Sequence, residues 1–162
     1  MTTVSNSSPL IGLSAIGLLD LLPALYGTIH IPEAVYEEVV VKGKGRAGAK
    51  RIAKAPWITR HTIADQQAVM QFRNQTNLQQ GESEAILLAA RLNATTIILD
   101  DADARVVATA QGLSVIGTVG ILLLAKQNKL IPAVKKPLDA LVAYGIRISP
   151  ALYHAALVKA GE

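Results

Sequence analysis

The chain has 162 residues and a mass of 17.1 kDa, enough for one domain with a buried core. Hydrophobic residues make up 51% and charged residues 17%, which excludes a disordered segment and a coiled coil, and the lack of cysteine excludes a disulfide framework and thiolate chemistry. Sixteen Lys and Arg against twelve Asp and Glu leave a net charge of +4, compatible with a polyanionic partner.

In chain order, TTVSN reads as a short strand around Val4, and SSP punctuates it. Pro9 suits the first turn of a helix capped by Ser7 or Ser8, and its apolar positions run on with a break near Gly17. TIHI (28–31) is a β-type tetrad, and Pro32 is expected at the first position of a helix reaching about Val41. From Lys42 to Arg60 the chain carries seven basic residues and no acid, read as a loop followed by a short basic helix. Residues 66–80 are rich in Gln and Asn and read as a helix or a loop. Gly81 opens an amphipathic helix, with Ala85, Leu88, Ala89 and Leu92 on one face. TTIILDD is a buried strand ending in two aspartates, and ADARVVATAQG is a helix stopped by Gly112. LSVIG is a further strand, then a helix capped by Thr118, then two helices over about 134–144 and 150–160.

Mean hydropathy is +0.34, yet the longest apolar runs, such as Val119 to Ala125, fall far short of the roughly 20 residues of a spanning helix. Ser14, Gly17, Asp20 and Pro23 interrupt the apolar N-terminal third, and no basic segment precedes it. Neither a signal peptide nor an anchor is expected, and the expected setting is a soluble, cytoplasmic one with no membrane partner.

Alternating strands and helices predict an α/β fold with a mostly parallel sheet, one domain over 1–162 with a core of about 3–130 and C-terminal helices over about 132–160. Ligands in such folds sit beyond the carboxyl ends of the strands. Asn6, Asp100 and Asp101 should therefore share one edge, and Glu82 joins them only if its helix starts there. Eight of the twelve acids fall in three clusters: Glu33, Glu37 and Glu38; Glu82 and Glu84; Asp100, Asp101 and Asp103. Such grouping in a basic protein suits a cation site, or helix-start acids placed by the macrodipole.

Four stretches together, VSNSSPLI, IPEAVYEEVV, QGESEAILLAARL and IILDDADARVVATAQGLSVIGTVGILLLAK, resemble the PIN-domain family. More narrowly they resemble its VapC-like subgroup of nucleic-acid-binding proteins, whose signatures run (S)(D/N)xSPLI, GExEAI and DDxxAR. The similarity spans about residues 3 to 130. It implies a PIN-like three-layer α/β/α sandwich and a ribonuclease whose carboxylates hold one or two Mg²⁺ or Mn²⁺ ions. Carried over position by position, the ligand set is Asn6, Glu38 (with Glu37 in reserve), Glu82 (with Glu84 as competitor) and Asp101 with Asp100 beside it. Glu38, Glu82 and Asp101 carry catalysis, and Ser7 matches the hydroxyl residue that often follows the first acid. Ser7, Lys42, Lys44 and Arg46 are the candidates for RNA contact. Hard oxygen ligands suit Mg²⁺, and phosphodiester hydrolysis needs a cation to carry phosphoryl charge and to make hydroxide near neutral pH.

Asn6 departs from the pattern, since the first position is an acid in most of the family. An amide offers a carbonyl oxygen without charge, so metal affinity should fall. Two functions follow: an RNA endonuclease, as the toxin blocked by a small antitoxin protein, or an inactive module that binds RNA or a protein. A phosphatase-like enzyme built on DDAD is disfavoured because no nucleophilic Asp follows the first strand. Each residue also has a plainer role: Glu82 and Glu84 as first-turn acids, Asp101 as an N-cap, Glu38 and Asp103 as solvated acids, Trp57 as a packing residue. His30, His61 and His154 show no metal or triad spacing. A dimer is expected from the family, with ILLLA and LLDLL as interface material.

Overall fold

The computed structural model describes residues 1–162. Its centre is a five-stranded sheet, all parallel, made of β1 (Thr3–Ser5), β2 (Ile29–Pro32), β3 (Ile58–His61), β4 (Thr96–Ile98) and β5 (Val115–Ile116) in the order β3-β2-β1-β4-β5. The chain moves outward from β1 through β2 to β3, then returns across β1 to start β4. The gap between the carboxyl ends of β1 and β4 is therefore the topological switch point, where α/β sheets place their ligands. The amide of Asn6 donates to the Ile98 carbonyl at 3.1 Å, tying the two strand ends together there.

Alternation along the strands explains the layers. Val4, Ile97 and Leu99 point into a cluster with Val69, Ile86, Leu88 and Ala104, from α5 (Gln66–Thr76), α6 (Gln80–Arg91) and α7 (Ala102–Ala110). Ile29, Ile31 and Ile98 point the other way, into a larger cluster with Leu10 and Leu13 of α1 (Ser7–Ala15), Leu22 of α2 (Leu21–Tyr26), Ile121 and Leu122 of α8 (Thr118–Gln127), and Leu138 and Leu141 of α9 (Lys135–Tyr144). α10 (Pro150–Ala160) closes over α8 through Ala156. The result is a three-layer α/β/α sandwich. The runs expected to supply an interface are largely used here: Leu19, Leu22, Ile121, Leu122 and Ala125 are all fully buried.

Several local expectations shift. The first helix starts at Ser7, two residues before Pro9, because Asn6 is the N-cap. Pro32 ends β2 and caps the short α3 (Glu33–Tyr36) from outside, and the helix then widens into a π-turn over Glu37–Val41. The basic helix is α4 (Ala49–Lys54), but Ile58–His61 after it is a strand that the charge run concealed. β3 is an edge strand with exposed Thr59 and Arg60, so it lacks the continuous apolar stretch of its neighbours. Gly117 is the N-cap of α8, and Thr118 is its first residue.

Candidate active site

Asparagine favours the N-cap position because its side-chain oxygen can take an N–H from the first helical turn. Asn6 holds that position with extended backbone, yet its side chain makes no capping bond. Its amide instead faces the start of α6. A methyl group built on Gly81 would lie 3.5 Å from Asn6 Oδ1 and 3.3 Å from Glu38 Oε2, so the glycine leaves both oxygens room over its backbone. The next residue fixes the second donor: the Ser7 hydroxyl donates to Glu38 Oε2 at 2.8 Å. Asn6 and Ser7 are both buried, whereas Glu38 is exposed.

Glu38 reaches this point from a π-turn. Lys42 N–H donates to the Glu37 carbonyl at 2.8 Å, five residues back, which sets a wider coil than an α-helix; such turns recur at functional sites. The turn closes against Gly43, where any side chain would meet the Val39 carbonyl at 2.3 Å.

Glu82 and Asp101 each divide their two oxygens. Glu82 Oε2 accepts the Gln79 N–H at 3.1 Å, and Asp101 Oδ1 accepts the Ala104 N–H at 2.8 Å as the N-cap of α7. The plainer capping roles are therefore real, and they use one oxygen of each group. Burial pushes the Glu82 carboxyl above its ordinary value, and the negative charges of Asp101, Glu38 and Asp103 raise it further against the opposing Gln79 bond. None of Glu38, Glu82 and Asp101 is in an ion pair.

No three carboxylate or imidazole side chains converge into a closed cage. The donor set still fits a hard divalent ion that keeps several of its waters: an amide oxygen, and carboxylate oxygens that include a Glu82 whose proton affinity burial and neighbouring acids raise. This cluster lies at the switch point of an all-parallel sheet, and a family profile described as PIN domain matches residues 2–162. The chain belongs to the PIN-domain family. PIN domains are typically metal-dependent nucleases, often ribonucleases, and act on nucleic acid. No curated protein gives a significant match to the chain.

Other expected residues of the PIN domain are engaged elsewhere. Glu84 is buried on the far side of α6 from Glu82, two residues on and so about 200° around the helix. Its Oε1 accepts the Ala34 N–H at 3.3 Å, and the Gln80 amide holds its Oε2. Asp100 spends both oxygens on Thr118, accepting the backbone N–H at 2.7 Å and the hydroxyl at 2.6 Å, which anchors the start of α8. Glu33 pairs with Arg60, whose guanidinium also lies over the Tyr36 ring at 3.4 Å. Glu37 is exposed and makes no side-chain bond to the cluster. Lys42, Lys44 and Arg46 are exposed and lie on the turn that follows the π-turn carrying Glu38. Trp57 packs against the larger core. Sequence spacing missed one association: His30 and His61 meet across β2 and β3. No helix is long and apolar enough to cross a membrane.

Proposed function

We propose that this PIN domain is a metal-dependent endoribonuclease, with Asn6, Glu38, Glu82 and Asp101 around one cation site. The observation that carries this is the convergence of Asn6 Oδ1 and Glu38 Oε2 over Gly81, beside a Glu82 whose carboxyl is pushed up by burial and by neighbouring acids. Asn6, Glu38, Glu82 and Asp101 would hold Mg²⁺ or Mn²⁺, which when bound neutralises phosphoryl charge and makes water acidic enough to attack near neutral pH.

The chain's own residues divide the remaining work. Ser7 is a positioning residue that holds Glu38 through Oε2. Glu82 presents one oxygen to the ion while the Gln79 N–H holds the other, and the ion would relieve the repulsion that Glu82 meets from the neighbouring acids. Asp101 presents its free oxygen from a backbone fixed by its own cap. Lys42, Lys44 and Arg46 supply positive charge beside Glu38 for the RNA backbone. The VapC-like signatures support a toxin of a toxin–antitoxin pair, held in check by a small antitoxin protein, acting in the cytoplasm and as a dimer.

The test is cleavage of a mixed RNA pool with EDTA, Mg²⁺ or Mn²⁺, in wild type and Asp101→Asn. Asparagine keeps the N-cap, so the variant folds. The reading expects cutting that EDTA abolishes and that falls at least about 100-fold in the variant. Equal cutting in the variant or in EDTA contradicts it. Asn6 favours a second reading, an inactive module, which predicts salt-sensitive RNA binding with no cutting under either metal.

A further inference from the structure

His30 and His61, 31 residues apart in sequence, direct Nδ1 and Nε2 at each other across 2.8 Å, with ring centroids 5.0 Å apart and planes tilted by 43°. In the parallel register His30 lies beside Val4, and His61 beside Pro32. Register partners point to the same face, and Val4 belongs to the α6-side core, so His30 stands on the α6 face of the sheet. Both rings are partly exposed, and their only hydrogen bond is to each other. Burial lowers the pKa of both, and for His61 the charges of His30 and Arg91 add to the effect. Both effects favour the neutral ring, the state in which imidazole binds metal.

We propose that His30 and His61 form a two-histidine chelate for a borderline divalent metal ion of the zinc, nickel or copper class, separate from the carboxylate site. Imidazole nitrogen suits these ions and not Mg²⁺. At Zn–N distances of about 2.0–2.1 Å, two tetrahedral ligands stand about 3.4 Å apart, so the rings need to part by roughly half an ångström. Two partly exposed side chains can do this by small rotations. No proton leaves the pair: the one shared between the facing nitrogens moves to an outer ring nitrogen, and both inner lone pairs bind the ion. Two protein ligands leave positions for water, which reaches this face. Because β3 pairs only with β2, the bridge would fasten the sheet's edge strand to its neighbour.

The probe is Zn²⁺ alone, titrated calorimetrically into Asp101→Asn protein, in which the carboxylate site is weakened and nuclease activity stays out of the readout, so that binding to the pair is read from the difference the histidine variants make. His30→Asn and His61→Gln place an amide where the facing nitrogen was and can keep the hydrogen bond; His154→Asn is the control, and circular dichroism checks folding. The proposal expects one Zn²⁺ per chain, affinity at least about tenfold lower in either pair variant, no change in the control, and a Zn²⁺-dependent rise in Tm that His61→Gln loses. No binding at millimolar Zn²⁺, or equal affinity in all variants, overturns it and leaves a hydrogen-bonded pair only.

Discussion

Glu82 and Glu162 are the same side chain at opposite extremes. Glu162 accepts hydrogen bonds from Lys126 Nζ at 2.8 Å, from Val134 N–H at 2.7 Å and from Lys135 N–H at 3.1 Å, which together hold its carboxyl down at about 2. It fastens α10 to α8 and to the start of α9, and every oxygen has a donor. Glu82 has one backbone donor, partial burial and three acids for neighbours, and its carboxyl is pushed up. Every oxygen of Glu162 has a donor, whereas Glu82 keeps one oxygen free and meets the repulsion of neighbouring acids. A folded chain tolerates such repulsion where a ligand or a reaction uses it, which is why perturbed carboxylates mark functional sites.

Substitutions should separate the two regions. The largest effect expected is on cleavage: Glu82→Gln lowers it about 100-fold or more while raising the Tm of the metal-free protein at neutral pH. The sign follows from linkage. A carboxyl raised in the folded state costs stability once pH climbs above its unfolded value, so the gain in Tm should vanish in acid. A Tm that falls at neutral pH would remove the contrast with Glu162. Next, Asn6→Asp restores a charged first ligand, and cleavage at limiting Mg²⁺ should rise about tenfold; no change would detach Asn6 from the site.

At the other end of the molecule, Glu162→Gln should leave cleavage intact and lower Tm. Glu162 is depressed in the folded state, so its stabilisation is present above the ordinary carboxylate range and lost as pH falls toward about 2. The variant should therefore flatten the acid limb of a Tm–pH profile, and an unaltered limb would contradict the clasp. The smallest effect expected is electrostatic. Replacing Lys42, Lys44 and Arg46 together with Ala should reduce the salt slope of RNA binding by about 0.7 for each phosphate no longer neutralised, read from affinity against log salt.

Much of this was legible in the sequence, for identifiable reasons. Val4 and the IIL run mark buried strands, and residues just past strand ends must lie at the ligand edge of a parallel sheet, which places Asn6 and Asp101 before any packing is known. Choosing Glu82 over Glu84 needs the start and rotation of α6, set by Gly81 packing close to Asn6 and Glu38. Asp100 and Asp101 are adjacent, and only Thr118 on a distant helix decides which of them is tied up. The π-turn that delivers Glu38 has no signature in EEVVV. The His30–His61 pair depends on the position of an edge strand that the basic run from Lys42 to Arg60 concealed.

The proposed cation site unites Asn6 with Glu38, Glu82 and Asp101. Mn²⁺ binding followed by electron paramagnetic resonance tests it most directly, in wild type, Asp101→Asn and Glu162→Gln. Wild type should show a Mn²⁺ site that Glu162→Gln retains unchanged and that weakens at least about tenfold in Asp101→Asn. Mn²⁺ binding that is absent from wild type, or indifferent to Asp101, would contradict it.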